Sequence, residues 1–279
     1  KWEEIEEGVF LREKLSTEII ELYNKAIKDL FDKIAKANQE DEAVLNEKVK
    51  KIHKIMGNLK SNSFKSAVMK EACDIFYDRK FKHKLDSDAY LIAFKNGVYD
   101  LNSNVFRPGR PEDYLSKCMP IDYVNYDESD KKVQEIYSFL EKIFPDKSVR
   151  NYFMDTSSDV FVGGNHQKVG IFWTGEGDNG KSVTQSFFEQ MLGPLAIKFN
   201  TSLITGKTPS SGSAYPDLAR AGGGVRWAVL EEPNGDEMIN CGTFKHLTGN
   251  DSFYARDLFE KGKDGREINP LFKLTFICN

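Results

Sequence analysis

Apolar residues recur every three or four positions early in the chain. Ile19, Ile20, Leu22, Tyr23, Ile27, Leu30, Phe31 and Ile34 follow the period of an amphipathic helix. A second helix is predicted over 41–59, ending near Gly57–Asn58, and a third over 63–80. The texture changes at Asp86. LIAFKNGVYDL, the polar NSN and VFRPG read as a β-hairpin, with Asn96-Gly97 marking a backbone kink. Short helices are expected at 111–117 and 129–143. Pro145-Asp146-Lys147 breaks the chain, and 147–161 reads as a lead-in helix.

From Lys168 the pattern alternates strand and helix. VGIFWT reads as a buried strand and is followed by a glycine loop. Val183, Phe187, Phe188, Met191 and Leu192 then share one helical stripe, which Gly193-Pro194 stops. After a polar stretch (201–215), VRWAVLEEP reads as a second buried strand ending in two carboxylates. NCGTFKHLTG reads as a short helix closed by Gly249. SFYARDLF, the charged turn EKGKDGRE and LFKLTFICN read as a hairpin followed by a core strand. The expected fold class is an α+β helical domain with a β-hairpin over 1–145, then an α/β core entered by the glycine loop over 146–279.

Composition adds little to this picture. Apolar content of 40% and charged content of 29% are those of an ordinary globular protein. Apolar runs fall short of a membrane span, so no membrane partner is expected. The start at Lys1 and the stop after an apolar run suggest a piece of a longer protein. Cys73, Cys118, Cys241 and Cys278 are far apart, which argues against a zinc site and for buried reduced thiols. The net charge of −4 does not mark a nucleic-acid binder, but it is uneven. Between Lys48 and Lys84 eleven basic residues face three acids, a local +8. Such a stripe can neutralise phosphates or can simply be a solvated helical face.

The chemistry concentrates in GEGDNGKS. Gly175, Gly180, Lys181 and Ser182 satisfy G-x-x-x-x-G-K-[ST] at every fixed position, between a predicted strand and a predicted helix. Glycines let backbone N–H groups curl around an anion, and the helix N-terminus adds partial positive charge. The candidate nucleotide-binding residues are Gly175, Glu176, Gly177, Asp178, Asn179, Gly180, Lys181, Ser182 and Val183. Lys181 would reach the β- and γ-phosphates, and Ser182 would hold Mg²⁺. The cofactors expected are therefore ATP, or another nucleoside triphosphate, and Mg²⁺. Glu231 and Glu232 close the second strand. Glu231 is assigned to the metal, partly through water, and Glu232 to the general base, although the roles could be swapped. Asn279 could hold the attacking water or be a turn residue. Lys261, Lys263 and Arg266, around the glycine-bounded tip, could touch a phosphodiester backbone or form a solvated turn.

These pieces, in this order, resemble a superfamily 3 helicase. More narrowly, they are similar to the poxvirus-type primase-helicase family of the nucleocytoplasmic large DNA viruses. GEGDNGKS, LARAGGGVRWAVLEEP, FKHLTGNDSFYARDLF and LFKLTFICN carry the likeness, with FKNGVYDL and RPGRPEDYLSK upstream. Together they cover about 86–279; residues 1–85 fit only by position and helical character. Asp178 stands where the family often has glycine, at a position where side chains should be tolerated. The resemblance implies an AAA+-like ATPase that is incomplete here after the sensor asparagine, Asn279. It also implies a ring, a homo-hexamer for preference, with ATP between subunits. Lys168 and Lys245 then fall where related helicases place basic residues that reach a neighbour's nucleotide. The arginine finger would lie beyond this chain, and a primase domain upstream of it. Implied partners are single-stranded and forked DNA, the primase and other replication proteins. The implied location is the host cytoplasm or a viral replication compartment.

Two readings follow. One is an NTP-driven motor that moves on single-stranded DNA and separates the duplex. The other is a nucleotide-bound assembly module that recruits primase or polymerase without strong unwinding.

Overall fold

The structure is a computed structural model describing residues 1–5, 8–205, 216–231, 238–255 and 266–278, with Arg266 described in its backbone alone. The chain divides into two compact units, Glu3–Phe81 and Lys82–Asn279, the second taking in Lys1–Trp2.

The first unit is helical: α1 (Val9–Ser16), α2 (Glu18–Ile34), α3 (Gln39–Lys60) and α4 (Asn62–Ile75). The Asn38 side chain accepts from the Asp41 N–H and so caps α3. Ile20 and Ile27 of α2 and Val49 and Leu59 of α3 are buried. Leu22 and Phe31, placed on the α2 stripe from sequence, are 58% and 50% exposed. The apolar stripe is thus wider than the face the neighbouring helices cover. Nor does Gly57 stop α3, because a single glycine costs a helix interior only about 1 kcal/mol. α4 ends at Ile75 rather than at 80. A single turn, α5 (Phe81–Lys84), follows.

The second unit begins with an antiparallel meander: β1 (Leu91–Phe94), β2 (Gly97–Asp100) and β3 (Val105–Arg107). The expected hairpin is therefore three strands. Lys95-Asn96 forms a tight turn, with Phe94 opposite Gly97, and a second turn contains Asn104 at φ 54°. Only Pro111–Asp113 of the expected 111–117 helix forms, as a single 3₁₀ turn. α6 (Lys131–Ile143) and α7 (Lys147–Ser158) lie on either side of Pro145-Asp146, and Asp130 and Asp146 cap them.

The main sheet is four-stranded and parallel. Its order is β4 (Gly170–Trp173), β9 (Lys273–Ile277), β6 (Trp227–Leu230) and β5 (Ala196–Phe199). β6 and β9 are central and buried at every position. β4, expected to be buried, is an edge strand among the described residues, with Phe172 49% exposed. Its apolar composition reads the same in either setting. β5 has no counterpart in the sequence reading. Around the sheet lie α8 (Lys181–Leu192), α9 (Ser202–Thr205), α10 (Pro216–Ala221) and α11 (Cys241–Thr248). β7 (Phe253–Ala255) and β8 (Arg266–Ile268) pair antiparallel as the stem of the predicted charged hairpin. Trp173, Phe188 and Trp227 pack together with Phe153 in one aromatic cluster.

The thiols differ from expectation. Cys73 and Cys241 are exposed, and Cys118 and Cys278 are half-buried. Cys73 and Cys241 lie near helix ends, where little covers them, while Cys118 packs against the cluster of Ala93, Val98 and Leu115.

Candidate nucleotide-binding site

Parallel pairing sets the site. Trp173 of β4 lies opposite Ile277 of β9, and Phe276 lies opposite Leu230 of β6. All these strands therefore end at one edge, where ligands of open α/β sheets bind. The glycine loop leaves β4 at this edge and enters α8. Glu231 leaves β6 at the same edge, one intervening strand away. That is about 10 Å, at two strand spacings.

The loop is built for close backbone approach. Gly175 has φ 153° and Gly180 φ 85°. A Cβ on Gly175 would stand 2.1 Å from the Asn179 Nδ2, and one on Gly180 would stand 2.8 Å from Ile143 Cδ1. Asp178 sits at φ 58°, a left-handed position that Asp and Asn tolerate best among side chains. The tolerance expected at this position is thus narrower than for side chains in general. Nothing lies within 4 Å of a Cβ placed on Gly177. The Lys181 ammonium donates to the carbonyls of Gly175 and, at 3.2 Å, Glu176, so it stands over the loop. Ser182 and Val183 are exposed at the first turn of α8, and Gly180 is its N-cap.

α8 is rotated relative to the predicted stripe. Thr184, Gln185, Phe188 and Leu192 are buried, while Val183 and Phe187 are 58% and 44% exposed. Local bonding explains the buried polar pair. The Thr184 hydroxyl donates to the Gly180 carbonyl at 3.0 Å, and Gln185 donates to Glu189 at 2.9 Å.

Glu231 is exposed and paired. Lys198 of β5 stands 3.4 Å from it and 3.2 Å from Glu189 of α8. Partial burial works against the Lys198 charge, but its bonds to Glu189 and then Glu231 outweigh this and raise its pKa above the ordinary lysine value. A cation arriving at Glu231 meets a carboxylate already shared with an ammonium. Sequence reasoning missed Lys198. Its signal was a lone cation one residue from the end of a short apolar strand.

Lys168 is exposed at φ 55°, just before β4, and Lys245 is exposed on α11. Among the described residues, no hydrogen bond or ion pair joins either side chain to the loop. Glu232, Lys261, Lys263 and Asn279 lie outside the described residues, as does the Arg266 side chain.

The residues present fit a nucleoside triphosphate. A loop with no room for a Cβ at Gly175 or Gly180 leads into the N-terminus of a twelve-residue helix, beneath a lysine. Such a loop and a carboxylate on one sheet edge define a P-loop-like α/β domain. The D5 N terminal like family matches residues 7–145. Frog virus 3 "Putative helicase 022R" is 39% identical over 299 residues, covering 86% of this chain and 31% of the relative. Invertebrate iridescent virus 6 "Putative helicase 184R" is 43% identical, covering 88% of this chain and 25% of the relative. Acanthamoeba polyphaga mimivirus "Putative helicase L207/L206" is 36% identical, covering 100% of this chain and 29% of the relative. The chain belongs to the primase-helicase family of large DNA viruses. It spans about a quarter to a third of the length of these relatives. Among the described residues, no helix is long and apolar enough to cross a membrane.

Proposed function

We propose that this chain is the nucleotide-hydrolysing part of a DNA helicase, with ATP as substrate and Mg²⁺ as its companion ion. The observation that carries this reading is the loop over which Lys181 stands, opening α8 at the sheet edge that also carries Glu231. In this reading the loop amides and Lys181 hold the β- and γ-phosphates, and Ser182 and Glu231 hold the ion, which offsets charge on the phosphates. Glu232 withdraws a proton from the attacking water, and Asn279 orients that water. The γ-phosphorus–oxygen bond to ADP breaks as the bond to water oxygen forms. The AAA+-like, superfamily 3 class is part of this proposal, and the parallel order β4-β9-β6-β5 supports its α/β core. A homo-hexamer, with Lys168 and Lys245 reaching a neighbour's nucleotide, a primase domain upstream and single-stranded DNA under the β7–β8 hairpin complete the proposal.

The test is the ATPase rate of the full-length protein with and without single-stranded DNA. Lys181→Ala is expected to abolish hydrolysis. Lys261→Ala with Lys263→Ala is expected to keep basal hydrolysis and lose DNA stimulation. Hydrolysis indifferent to DNA would instead favour an assembly module that recruits primase or polymerase.

A further inference from the structure

One surface of the helical unit plays no part in nucleotide chemistry. At the end of α4 three consecutive large apolar side chains stand bare: Ile75 is 66% exposed, Phe76 81% and Tyr77 75%. Scattered exposed apolar residues are ordinary, but adjacent ones ending in two aromatic rings are not. Arg79 and Lys80 follow after Asp78, both exposed. Among the described residues neither has a carboxylate within ion-pair distance. The acid between them and the rings is already engaged, since Asp78 accepts the Lys80 backbone N–H at 2.8 Å. This cluster lies within the stretch that carries a local +8.

Two occupants could cover such rings. A protein partner would bury them in an interface core, where charge, and lysine above all, is depleted. Here the cations adjoin the rings. Aromatic faces beside exposed cations suit an unpaired polynucleotide: bases stack on the rings and phosphates meet the charges. We propose that Phe76, Tyr77, Arg79 and Lys80 form a binding site for single-stranded nucleic acid, separate from the β7–β8 hairpin. That the natural strand is DNA rests on the function proposed above; the site itself rests on its own side chains.

The experiment is fluorescence anisotropy of the intact protein with a labelled oligothymidylate, across a salt series. Phe76→Ala and Tyr77→Ala should each weaken binding about tenfold, and Phe76→Tyr should retain it. Arg79→Gln with Lys80→Gln should flatten the slope of log K against log salt by about 1.4, two phosphates' worth. Because all four side chains are exposed, thermal melts of the variants should match wild type, so a loss of binding is not a loss of fold. Unchanged affinity and slope would overturn the proposal. So would equal weakening toward blunt duplex, which offers the rings no free bases, or a change in self-association with unchanged DNA affinity. Wild-type binding that depends on Lys261 and Lys263 but not on these four would sink this inference alone. Absence of any binding by wild type would sink the DNA half of the proposed function as well, leaving nucleotide hydrolysis standing.

Discussion

Individual backbone angles decide what the loop residues can be. Gly180 combines φ 85° with a Cβ position that Ile143 crowds. Gly180→Ala should therefore cost about 1–2 kcal/mol from the left-handed backbone alone, and more from the clash. A urea titration and nucleotide-induced thermal shift would read both, and wild-type behaviour would refute the strain argument. Asp178→Gly should be neutral or stabilise slightly, because it relieves a left-handed side chain. Lys181 was legible from its motif alone, since spacing fixes it to the first turn of the helix. Lys198 was not. What makes it matter is the proximity of Glu189 and Glu231, from two other elements.

At the level of elements, β6 does the positioning. Trp227, Ala228, Val229 and Leu230 are at most 1% exposed, and Trp227 donates to the Thr275 hydroxyl at 2.9 Å. This strand holds Glu231 by burying everything before it. Leu230→Ala should cost about 2–5 kcal/mol by cavity formation and should reduce hydrolysis through displacement of Glu231. A chemical-denaturation midpoint beside the ATPase rate checks this, and a stable variant with unaltered rate would contradict it. The run WAVL announced such a strand. The apolar run of β4 announced the same, yet among the described residues β4 lies at an edge, because only pairing decides which strand is covered on both sides. The α8 stripe misled for a related reason. Hydroxyl and amide groups of Thr184 and Gln185 are satisfied within the helix, so burying them carries little penalty.

Across the second unit, the sheet edge opposite the loop is tied down by buried cations. Arg226 is 2% exposed and donates to the carbonyls of Asp88 at 2.9 Å and Leu91 at 3.2 Å, linking β6 to the meander. Burial brings its pKa down to about 10, against the pull of Asp88 and Asp86. Lys273 donates to the Val162 carbonyl. Burial lowers it to about 8; Asp159 opposes this, and the Arg226 charge reinforces it. The folded state therefore releases the Lys273 proton before the unfolded state does. Its contribution to stability is least below pH 8 and grows as pH rises from about 8 toward the ordinary lysine value of 10.5. Lys273→Met should remove this alkaline gain. Melting temperatures of the two proteins between neutral pH and pH 9.5 should converge on different slopes, and parallel curves would rule the effect out.

By itself the sequence determined what depends on neighbours along the chain. It set the glycine loop before a helix, the carboxylate after a strand, the helical first third and the membership of a viral primase-helicase family. Tertiary structure decided what depends on pairing and coverage. It left β4 partly exposed, turned the hairpin into a three-stranded meander, rotated α8, joined Lys198 to Glu231 and buried Arg226 and Lys273. Local periodicity records which residues share a face. Which face is covered, and by what, follows only when distant segments meet, because burial and ion pairing act through space.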